Sequence, residues 1–503
     1  MDFDIIYKKR VEIKDIDELV KQLKDIVGDE WVSTEEADLV AYSKDYQLIT
    51  NRWIIEGKLP ALPHVITWPE TEEQISQILA IANEQKIPVI PYGEGSGVVG
   101  AALPVYGGIM VDMKRFDKVI ELNDKDLTVT VQTGMNGKAL ERILQEQGYL
   151  IGHVPQSFHT ATVGGWIAHR AAGQFSTKYG KIEDIVMSMR VVLPTGEVVN
   201  TKLYPRSSNG PQIERLFLSS EGTLGIVTQA TLKLWPWPEK QSGVAFAFDD
   251  WNSALETVRL VLRKQIYPAV VRIYDQVETE RHFYDTPNAK GKLMTVFVCE
   301  GVTKLVDLEI EVIKEESAKQ YGIDCGQDPV KHWFDTRFDV KETSTYTPKD
   351  IIFDTIEVSC MWKDAVDLYN EVVEEMNNVP GMAMSSAHAS HFYPQGVCYY
   401  FTFGGTPMDG SSPDEFYRAA WDAAMIGTLK ANGSISHHHG VGISRARWMT
   451  AEHGPVLELM KKIKGVIDPN NIMNPGKLYE EAERGNDENK PSLTKPKDKK
   501  GKK

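Results

Sequence analysis

The chain has 503 residues, of which 42% are hydrophobic and 25% are charged, and its formal net charge is −15. This length exceeds one ordinary hydrophobic core and indicates two or three domains. The acidic excess argues against nucleic acid as a partner, because polyanions bind basic surfaces. The four cysteines are widely spaced without a C-x-x-C motif, which is typical of reduced thiols and not of a disulfide framework or metal cluster.

We expect a soluble, cytoplasmic protein. The first ten residues, MDFDIIYKKR, lack the apolar centre of a signal peptide, and no run approaches the ~18 apolar residues of a membrane span. Residues 484–503 carry eight Lys/Arg and three Asp/Glu, so we predict a disordered basic tail over 480–503. A solvated tail is the simpler interpretation, but peripheral contact with an anionic membrane surface stays open.

Residues 1–62 are predicted to form a mainly helical N-terminal segment. Within it, residues 16–26 have the apolar spacing of an amphipathic helix. The next helix begins after Trp68, where Thr71 and Gln74 have the spacing of a capping box. This second helix opens a mixed domain that we place at 63–240.

A glycine-rich stretch follows, in which Gly95, Gly97 and Gly100 match the G-x-G-x-x-G frame of NAD-binding proteins. That frame requires a helix immediately after the glycines. Here Pro104 and the pair at 107–108 exclude such a helix. The stretch is therefore predicted to be strand, glycine loop, strand, whose backbone N–H groups can still approach a phosphate closely.

The remaining pattern of residues 63–240 is α+β. Residues 127–132 alternate apolar and polar side chains as a half-buried strand does, residues 138–147 read as a helix, and residues 186–199 read as a hairpin. A second α+β domain with a sheet is predicted over 241–445. The expected helices of this domain lie at 251–264, 302–320 and 412–432, and its expected strands at 269–273, 292–300, 351–358 and 397–403. Residues 446–479 are predicted to form a helix followed by a loop.

Four glycine-bearing segments occur in a characteristic order: 91–100, 157–173, 220–228 and 474–477. Together they resemble the PCMH-type FAD-binding domain of the vanillyl-alcohol-oxidase family. The resemblance implies an α+β fold with a two-subdomain FAD-binding domain and an α+β substrate (cap) domain built on an antiparallel sheet. It also implies FAD as the cofactor, without a covalent tether, because Glu94 and Ser96 occupy the loop where some relatives carry a histidine.

The resemblance assigns the cofactor site residue by residue. The first loop is implied to cradle the pyrophosphate, through Pro91, Tyr92, Gly93, Glu94, Gly95, Ser96, Gly97 and Gly100. Further loops are implied to surround the flavin and adenine portions, through Gln156, Ser157, Thr162, Gly164, Gly165, Trp166, Glu221, Thr223, Gly225, Ile226, Val227 and Asn474.

Three adjacent histidines, His437, His438 and His439, stand in the segment SISHHHGVG. Adjacent side chains on a strand diverge, so we expect no metal site, although a zinc-binding loop and a polar turn with one buried histidine are alternatives. The favoured interpretation is a site that binds anions or moves protons, because imidazole titrates near neutral pH.

The SHHHG motif resembles the alkylglycerone-phosphate synthase family, which exchanges an acyl for an alkyl chain in ether-lipid synthesis; related hydroxy-acid dehydrogenases usually carry Glu-His-Gly there. The resemblance implies that Arg272 is an active-site arginine, Tyr400 an acid/base and His153 a histidine ahead of the flavin loop. The alternatives are a salt bridge for Arg272, a core aromatic for Tyr400 and a satisfied buried imidazole for His153. Tyr393 and His388 are reserve candidates, whereas His391 and His159 are expected to be structural.

The sequence departs from the family at two places. Gln156 stands where the family has an acidic residue, and near Thr343, where a second phosphate-binding arginine would align, the sequence offers Lys341 and, upstream, Arg337. These departures weaken the expectation of a phosphorylated ketone as substrate.

Two catalytic functions and one non-catalytic function are left open. The first is a synthase-like exchange on a lipid-like substrate. The second is a dehydrogenase of a small 2-hydroxy acid, such as D-lactate, glycolate or D-2-hydroxyglutarate, with a separate electron acceptor. The third is an electron-transfer flavoprotein. The substrate is a small molecule in the first two, nucleic acid is not expected as a partner, and a homodimer is left open.

Overall fold

The computed structural model describes residues 4–339, 351–408, 410–482 and 484. Lys341, Thr343 and residues 485–503 of the expected tail lie outside the described residues. At the start of that tail, Ala482 is buried and the Arg484 guanidinium lies over the rings of Tyr7 and Trp53. These residues are packed and not disordered, because the cation finds two aromatic faces.

The strands are short in the first half of the chain and long in the second. In chain order they are β1 (Asp4–Ile5), β2 (Val32–Ser33), β3 (Lys58–Leu59), β4 (Val65–Thr67), β5 (Val89–Tyr92), β6 (Ile109–Asp112), β7 (Val119–Asn123), β8 (Thr128–Gln132), β9 (Tyr149–Leu150), β10 (Val186–Val192), β11 (Val198–Asn200), β12 (Ile226–Lys233), β13 (Trp235–Pro236), β14 (Lys240–Phe248), β15 (Val270–Tyr274), β16 (Leu293–Gly301), β17 (Ile323–Gly326), β18 (Ile352–Met361), β19 (Met382–Tyr393) and β20 (Gly396–Gly405).

The helices pack on the faces of these sheets. They are α1 (Ile16–Val27), α2 (Glu36–Ala41), α3 (Leu48–Ile55), α4 (Glu72–Gln85), α5 (Gly137–Glu146), α6 (Val163–His169), α7 (Ser176–Tyr179), α8 (Ile182–Ile185), α9 (Glu214–Phe217), α10 (Trp251–Arg263), α11 (Gln276–His282), α12 (Thr303–Lys319), α13 (Asp328–Thr336), α14 (Ala365–Asn377), α15 (Pro413–Lys430), α16 (Met449–His453) and α17 (Pro455–Ile467). Across the described ranges, none of them has the length and apolar character that crossing a membrane requires.

Two sheets build the first half of the chain. A four-stranded sheet has the order β2-β4-β6-β5, in which β4, β6 and β5 are parallel. A five-stranded antiparallel sheet has the order β11-β10-β12-β8-β7. The strand β2 comes from the N-terminal segment predicted as mainly helical, so that segment also pairs with the first sheet.

A seven-stranded antiparallel sheet, β17-β14-β16-β15-β19-β20-β18, builds the second half of the chain. One face packs against helices α10, α12, α14 and α15 through an apolar core that contains Val271, Ile273, Tyr399 and Phe401. Because side chains alternate along a strand, Arg272 and Tyr400 project from the opposite face. That opposite face carries the candidate catalytic residues.

Most elements agree with the sequence-based expectations. The predicted α+β class and antiparallel second sheet are confirmed, and Thr71 and Gln74 form the predicted capping box of α4. The glycine stretch is strand, loop, strand, because β5 and β6 pair directly in parallel with no intervening helix among these described residues. Elements missed by the periodicity include the strands β7, β12, β14, β17 and β19 and the helices α6, α11, α13 and α14.

Candidate active site

The glycine loop after β5 leaves its backbone open to a ligand. A Cβ on Gly93 would lie 2.5 Å from Thr162 Oγ1, and a Cβ on Gly95, whose φ is +62°, would lie 2.1 Å from the Tyr92 hydroxyl. Side chains are therefore excluded at both positions. The loop also lies against the turn that Thr162 opens, so two of the four predicted segments meet here.

Asn474 joins the other two segments to this loop. Its backbone N–H donates to the Val89 carbonyl at 2.9 Å, and its amide Nδ2 donates to the carbonyls of Ala101 and Glu221 at 2.9 and 2.7 Å. Asn474 is 2% exposed. One side chain thus ties together the glycine loop, the 220–228 loop and the 474–477 segment, as the resemblance implied.

Helix α6 forms a further side of this site. Thr162 caps it by accepting the Gly165 N–H at 3.2 Å, and the Gly164 N–H donates to the Thr133 carbonyl at 2.7 Å. Trp166 is buried, and its Nε1 has no hydrogen-bond partner among the described residues. A buried donor without a partner is costly, which indicates that an acceptor atom of a ligand pairs with Trp166 Nε1.

The residues at this site fit the expected FAD. Besides Trp166 Nε1, buried atoms without a partner in the described chain include Asp45 Oδ2 and Asn474 Oδ1. A dinucleotide offers both donors and acceptors to such groups. The glycine backbone at 93–100 is free to approach its pyrophosphate, as a loop without side chains allows.

Several predicted cofactor residues have other roles in the structure. The Gln156 amide donates to the Arg337 carbonyl at 2.7 Å, and the Thr223 hydroxyl donates to the Ser220 carbonyl at 2.6 Å. Gly225 precedes β12, and Ile226 and Val227 pair within the five-stranded sheet. The remaining predicted positions, Pro91, Tyr92, Glu94, Ser96, Gly97, Gly100 and Ser157, lie on or beside the glycine loop and the turn before α6.

Strand register creates a polar row on the face of the large sheet opposite helices α10, α12, α14 and α15. Tyr274 pairs with His388, His388 with Tyr400, and Tyr400 with Glu357, across the four adjacent strands β15, β19, β20 and β18. A slip of one residue in any strand would move its member of the row to the helix-covered face. The row therefore depends on the register of all four strands.

Glu357 holds the histidine loop by its backbone. Its carboxylate accepts the N–H groups of His437, His438 and His439, at 3.2, 3.2 and 2.5 Å. Arg445 pairs with the same carboxylate at 2.9 Å, and both side chains are fully buried. One charge-paired acid thus fixes three consecutive residues that have no regular secondary structure.

Tyr400 meets two of the histidines. Its hydroxyl hydrogen-bonds His438 Nε2 and lies 3.0 Å from His439 Nε2. Burial raises the pKa of Tyr400 well above its usual value. Burial also lowers the pKa of His439 to about 4, despite the opposing charge of Glu357. At neutral pH the site therefore holds a protonated phenol beside neutral imidazoles.

A buried carboxylate, Glu278, supports Tyr400 through a hydrogen bond to His388. His388 stacks on the Tyr400 ring with centroids 5.1 Å apart and planes 7° apart, and its Nδ1 lies 2.7 Å from Glu278 Oε2. Burial opposes ionisation of Glu278, but the charge and hydrogen bond of His388 outweigh it and lower the pKa to about 2. His388, a reserve candidate from the sequence, thus orients Tyr400.

His391, His437 and His438 form a second group. His391 Nδ1 bonds the Ser176 hydroxyl at 2.7 Å, the Tyr393 hydroxyl bonds His437 Nε2 at 2.9 Å, and His437 Nδ1 lies 2.8 Å from His438 Nδ1. Ligand atoms of His391, His437 and His438 all lie within 4.8 Å of one another, so these three could hold a metal ion. Because His437 and His438 lie on a loop, their side chains do not diverge as adjacent side chains on a strand would. His391, which was expected to be structural, belongs to this group.

The cofactor half of the chain also contacts the histidine loop directly. The Glu221 carboxylate accepts the N–H groups of Val441 and Gly442, at 2.5 and 2.9 Å. His169 Nδ1 lies 3.0 Å from the His439 carbonyl, and Lys181 Nζ donates to the His437 carbonyl at 2.6 Å. The side chain of Glu221 therefore holds the histidine loop, although the sequence assigned it to the cofactor.

Arg272 lies beside the polar row and carries free donor capacity. Its Nε is buried without a hydrogen-bond partner among the described residues. Its positive charge lowers the pKa of both Tyr400 and His391. At Tyr400 this opposes the larger effect of burial, which raises the pKa. At His391 it adds to the effect of burial, which lowers the pKa. His153, by contrast, packs edge-on against Trp166 at 4.6 Å, and burial together with the charge of Lys181 lowers its pKa to about 3.

Sequence reasoning missed Glu357, Arg445 and Lys181. Glu357 lies within FDTIEVS, where an acid between Ile356 and Val358 was a usable signal, because acidic groups are rarely buried without a partner. Arg445 and Lys181 gave no comparable signal. Their roles depend on contacts with segments far away in the sequence.

Two family models match this chain. One, described as the FAD binding domain, matches residues 63–202, and the other, described as the C-terminal domain of FAD linked oxidases, matches residues 237–478. Alkyldihydroxyacetonephosphate synthase of Dictyostelium discoideum is 30% identical over 458 residues, which cover 84% of this chain and 74% of that protein. The mitochondrial D-lactate dehydrogenase (cytochrome) of Arabidopsis thaliana is 28% identical over 477 residues, which cover 92% of this chain and 80% of that protein. A solved structure of alkyldihydroxyacetonephosphate synthase superimposes with a TM-score of 0.78 at 25% identity, covering 94% of this chain and 88% of that one.

Proposed function

This chain belongs to the FAD-linked oxidase family of PCMH-type flavoenzymes, with FAD as its cofactor, and on that premise we propose an activity similar to that of alkyldihydroxyacetonephosphate synthase. The reaction would exchange the acyl chain of acyl-dihydroxyacetone phosphate for an alkyl chain from a long-chain alcohol. The observation that carries the proposal is the Tyr400 hydroxyl hydrogen-bonded to two adjacent neutral histidines.

The cofactor would be held by the glycine loop at 93–100, by Thr162 and Trp166, and by the segment anchored through Asn474. When bound, FAD supplies an electron-accepting ring next to the substrate carbon. We propose that it is bound without a covalent tether, since the loop carries Glu94 and Ser96 and no histidine. Acid precipitation should then release all of the flavin into the supernatant; flavin retained in the protein pellet would contradict this.

Tyr400 and the histidines would move the substrate proton. The Tyr400 oxygen accepts a proton from the carbon beside the ketone while its own proton passes to Nε2 of His438 or His439. The neutral state of His439, whose pKa lies near 4, keeps that nitrogen available as an acceptor. Glu357 holds the loop in place, and the pair His388–Glu278 fixes the plane of the Tyr400 ring.

The experiment measures fatty-acid release from acyl-dihydroxyacetone phosphate in the presence of a long-chain alcohol. Wild-type protein should release fatty acid and form the alkyl product, and Tyr400→Phe should not. Tyr399→Phe is the matched control, because Tyr399 is the neighbouring residue on the helix-covered face. Absence of product from wild-type protein with a full complement of flavin would contradict the proposal.

A 2-hydroxy-acid dehydrogenase is the second candidate, favoured by Arg272. Its partnerless guanidinium Nε beside neutral imidazoles suits a substrate carboxylate, with a histidine nitrogen taking the hydroxyl proton. A separate acceptor would then remove the electrons. Anaerobic mixing with D-lactate, glycolate or D-2-hydroxyglutarate tests this candidate: bleaching of the flavin band at a catalytic rate would replace the synthase proposal, and an unchanged band would exclude these three acids.

A further inference from the structure

We infer that a relay of hydrogen-bonded side chains carries the substrate proton from the active site to water at the turn between β19 and β20. The relay consists of Tyr400, His438, His437 and Tyr393. The inference rests on the proposed function, in which Tyr400 takes a proton from the substrate. It adds the route by which that proton leaves, and it gives Tyr393, a reserve candidate from the sequence, a part in the reaction.

The side chains of the relay are joined end to end. The Tyr400 hydroxyl hydrogen-bonds Nε2 of His438, and Nδ1 of His438 lies 2.8 Å from Nδ1 of His437. Nε2 of His437 lies 2.9 Å from the Tyr393 hydroxyl. Each imidazole therefore uses one nitrogen towards Tyr400 and the other towards Tyr393. Passage of a proton through an imidazole requires this arrangement, because the ring takes up the proton on one nitrogen and gives it up from the other.

The contact between the two Nδ1 atoms determines how many protons the pair carries there. One of these nitrogens must carry a hydrogen and the other must not, because two lone pairs or two N–H groups would repel each other at 2.8 Å. Neutral His437 and His438 are therefore opposite tautomers. Both assignments give an unbroken relay. In one, every donor points towards Tyr393, and in the other, every donor points towards Tyr400.

Passage of one proton converts the first arrangement into the second. The substrate carbon gives its proton to Tyr400 as the Tyr400 hydroxyl proton moves to His438 Nε2, and the Nδ1 proton of His438 moves to Nδ1 of His437. His437 gives its Nε2 proton to the Tyr393 oxygen, and the Tyr393 hydroxyl proton goes to water. Each group keeps its number of protons, and the electron pair of the broken C–H bond stays on the substrate beside its ketone. The same path in reverse returns a proton.

His439 also contacts the Tyr400 hydroxyl but does not extend the relay. Its Nε2 lies 3.0 Å from that hydroxyl, whereas its Nδ1 is buried and has no hydrogen-bond partner among the described residues. Glu357 Oε1 lies 3.8 Å from this Nδ1, which is too far for a hydrogen bond. A proton that reached His439 would have no further acceptor, so His438 is the route outwards.

The outer end of the relay lies at the protein surface. Tyr393 is the last residue of β19 and is half-buried, and the two residues that follow it, Pro394 and Gln395, are exposed. The backbone of His437 is fixed from the cofactor half of the chain, because its carbonyl accepts from Lys181 Nζ at 2.6 Å. The relay thus ends beside bulk water.

The tautomers of the two histidines test the relay without any turnover. In flavin-loaded protein with isotope-labelled histidine, nitrogen NMR shifts should show that His437 and His438 share a single Nδ1 proton, and His437→Gln and His438→Gln identify the signals. Two rings that are both protonated on Nε2 and lack this proton would break the relay. A tightly bound metal ion on these nitrogens would displace the proton. Either result overturns the inference.

A soluble proton carrier tests the outer end of the relay. Tyr393→Phe should lower turnover at least about tenfold, and added imidazole should restore most of that loss, because a soluble base can take the proton from His437 in place of Tyr393. Tyr267→Phe, which changes a half-buried tyrosine of another segment, should match the wild type with and without imidazole. Turnover is measured as fatty-acid release or, with a 2-hydroxy acid, as bleaching of the flavin band. Wild-type turnover in Tyr393→Phe, or a loss that imidazole does not restore, overturns the inference.

Failure of the relay and failure of the proposed function give different results. Equal fatty-acid release by the wild type and Tyr393→Phe would retain the synthase activity and remove the relay. Flavin bleaching by a 2-hydroxy acid that is slowed in Tyr393→Phe and restored by imidazole, without any fatty-acid release, would replace the synthase activity and retain the relay. The proton would then come from the substrate hydroxyl.

Discussion

The carboxylate of Glu221 lies 2.5 Å from the backbone nitrogen of Val441, so the half of the chain that holds FAD also holds the loop that carries the three histidines. Both partners are buried, and the Gly442 N–H donates to the same carboxylate at 2.9 Å. The Glu221 side chain is thus one of the contacts that set the position of the histidine loop relative to the cofactor half of the chain.

Replacing Glu221 by Gln should loosen this connection. The Gln carbonyl oxygen could still accept the Val441 N–H, but its NH2 group would replace the oxygen that accepts the Gly442 N–H at 2.9 Å, and a buried donor left unsatisfied costs about 1–3 kcal/mol. We expect a lower thermal unfolding midpoint, faster flavin release and slower turnover together. Glu197→Gln, at an exposed hairpin position, is the control. Unchanged flavin release and turnover in Glu221→Gln would show that this contact does not hold the loop.

Replacing Tyr400 by Phe should reduce turnover by about 10²–10⁴-fold while leaving flavin bound, because it removes the group that exchanges the proton. Tyr399→Phe should retain wild-type turnover, since its ring packs in the core and its hydroxyl has no partner among the described residues. Steady-state kinetics of the two flavin-loaded variants provide the comparison. Equal turnover in the pair would remove Tyr400 from the mechanism.

Replacing Glu357 by Ala should be strongly destabilising. The change leaves Arg445 buried without its carboxylate, which typically costs about 3–5 kcal/mol, and also frees the backbone N–H groups of the histidine loop. The exposed pair Lys461–Glu458 offers a control, for which Glu458→Ala should cost no more than about 1 kcal/mol. Urea unfolding of both variants measures the difference, and similar midpoints would contradict it.

His153 and His439 should make the folded state less stable as the pH falls from about 6.5 towards 4. Burial lowers the pKa of His153 to about 3 and of His439 to about 4, whereas both titrate near 6.5 in the unfolded chain. Between these values each histidine binds its proton in the unfolded chain first, so its contribution to stability is lost in acid. From pH 7.5 to 4.5 the thermal unfolding midpoint of His153→Phe should therefore rise relative to that of the wild type. Parallel profiles for the two proteins would contradict this.

The parts of the site that were predictable from sequence are those carried by local patterns. The strand–loop–strand conformation of the glycine loop could be predicted because Pro104 and the glycine pair at 107–108 exclude a helix. In the structure β5 and β6 pair without one. Tyr400 was singled out by the family resemblance, and the alternation along β20 places Tyr399 in the core and Tyr400 on the opposite face.

The remaining parts depend on contacts between distant segments. Glu357 lies on β18 and Arg445 in the loop after the histidines, so their pairing forms only when two segments 88 residues apart fold together. His391 was expected to be structural, but it joins His437 and His438 through the position of β19 in the sheet. Gln156 was assigned to the cofactor and noted as a departure from the family, because its contact with the Arg337 carbonyl forms only when these distant segments fold together.

Asn474 also sets the order in which this protein can become active. During synthesis the glycine loop emerges from the ribosome long before Asn474, and the parallel bridge between Val89 and Met473 cannot form until then. N-terminal domains commonly fold while the rest of a chain is still being made. Here the cofactor site of a nascent chain is incomplete until residue 474 has been added, so binding of the cofactor is a late event in biogenesis.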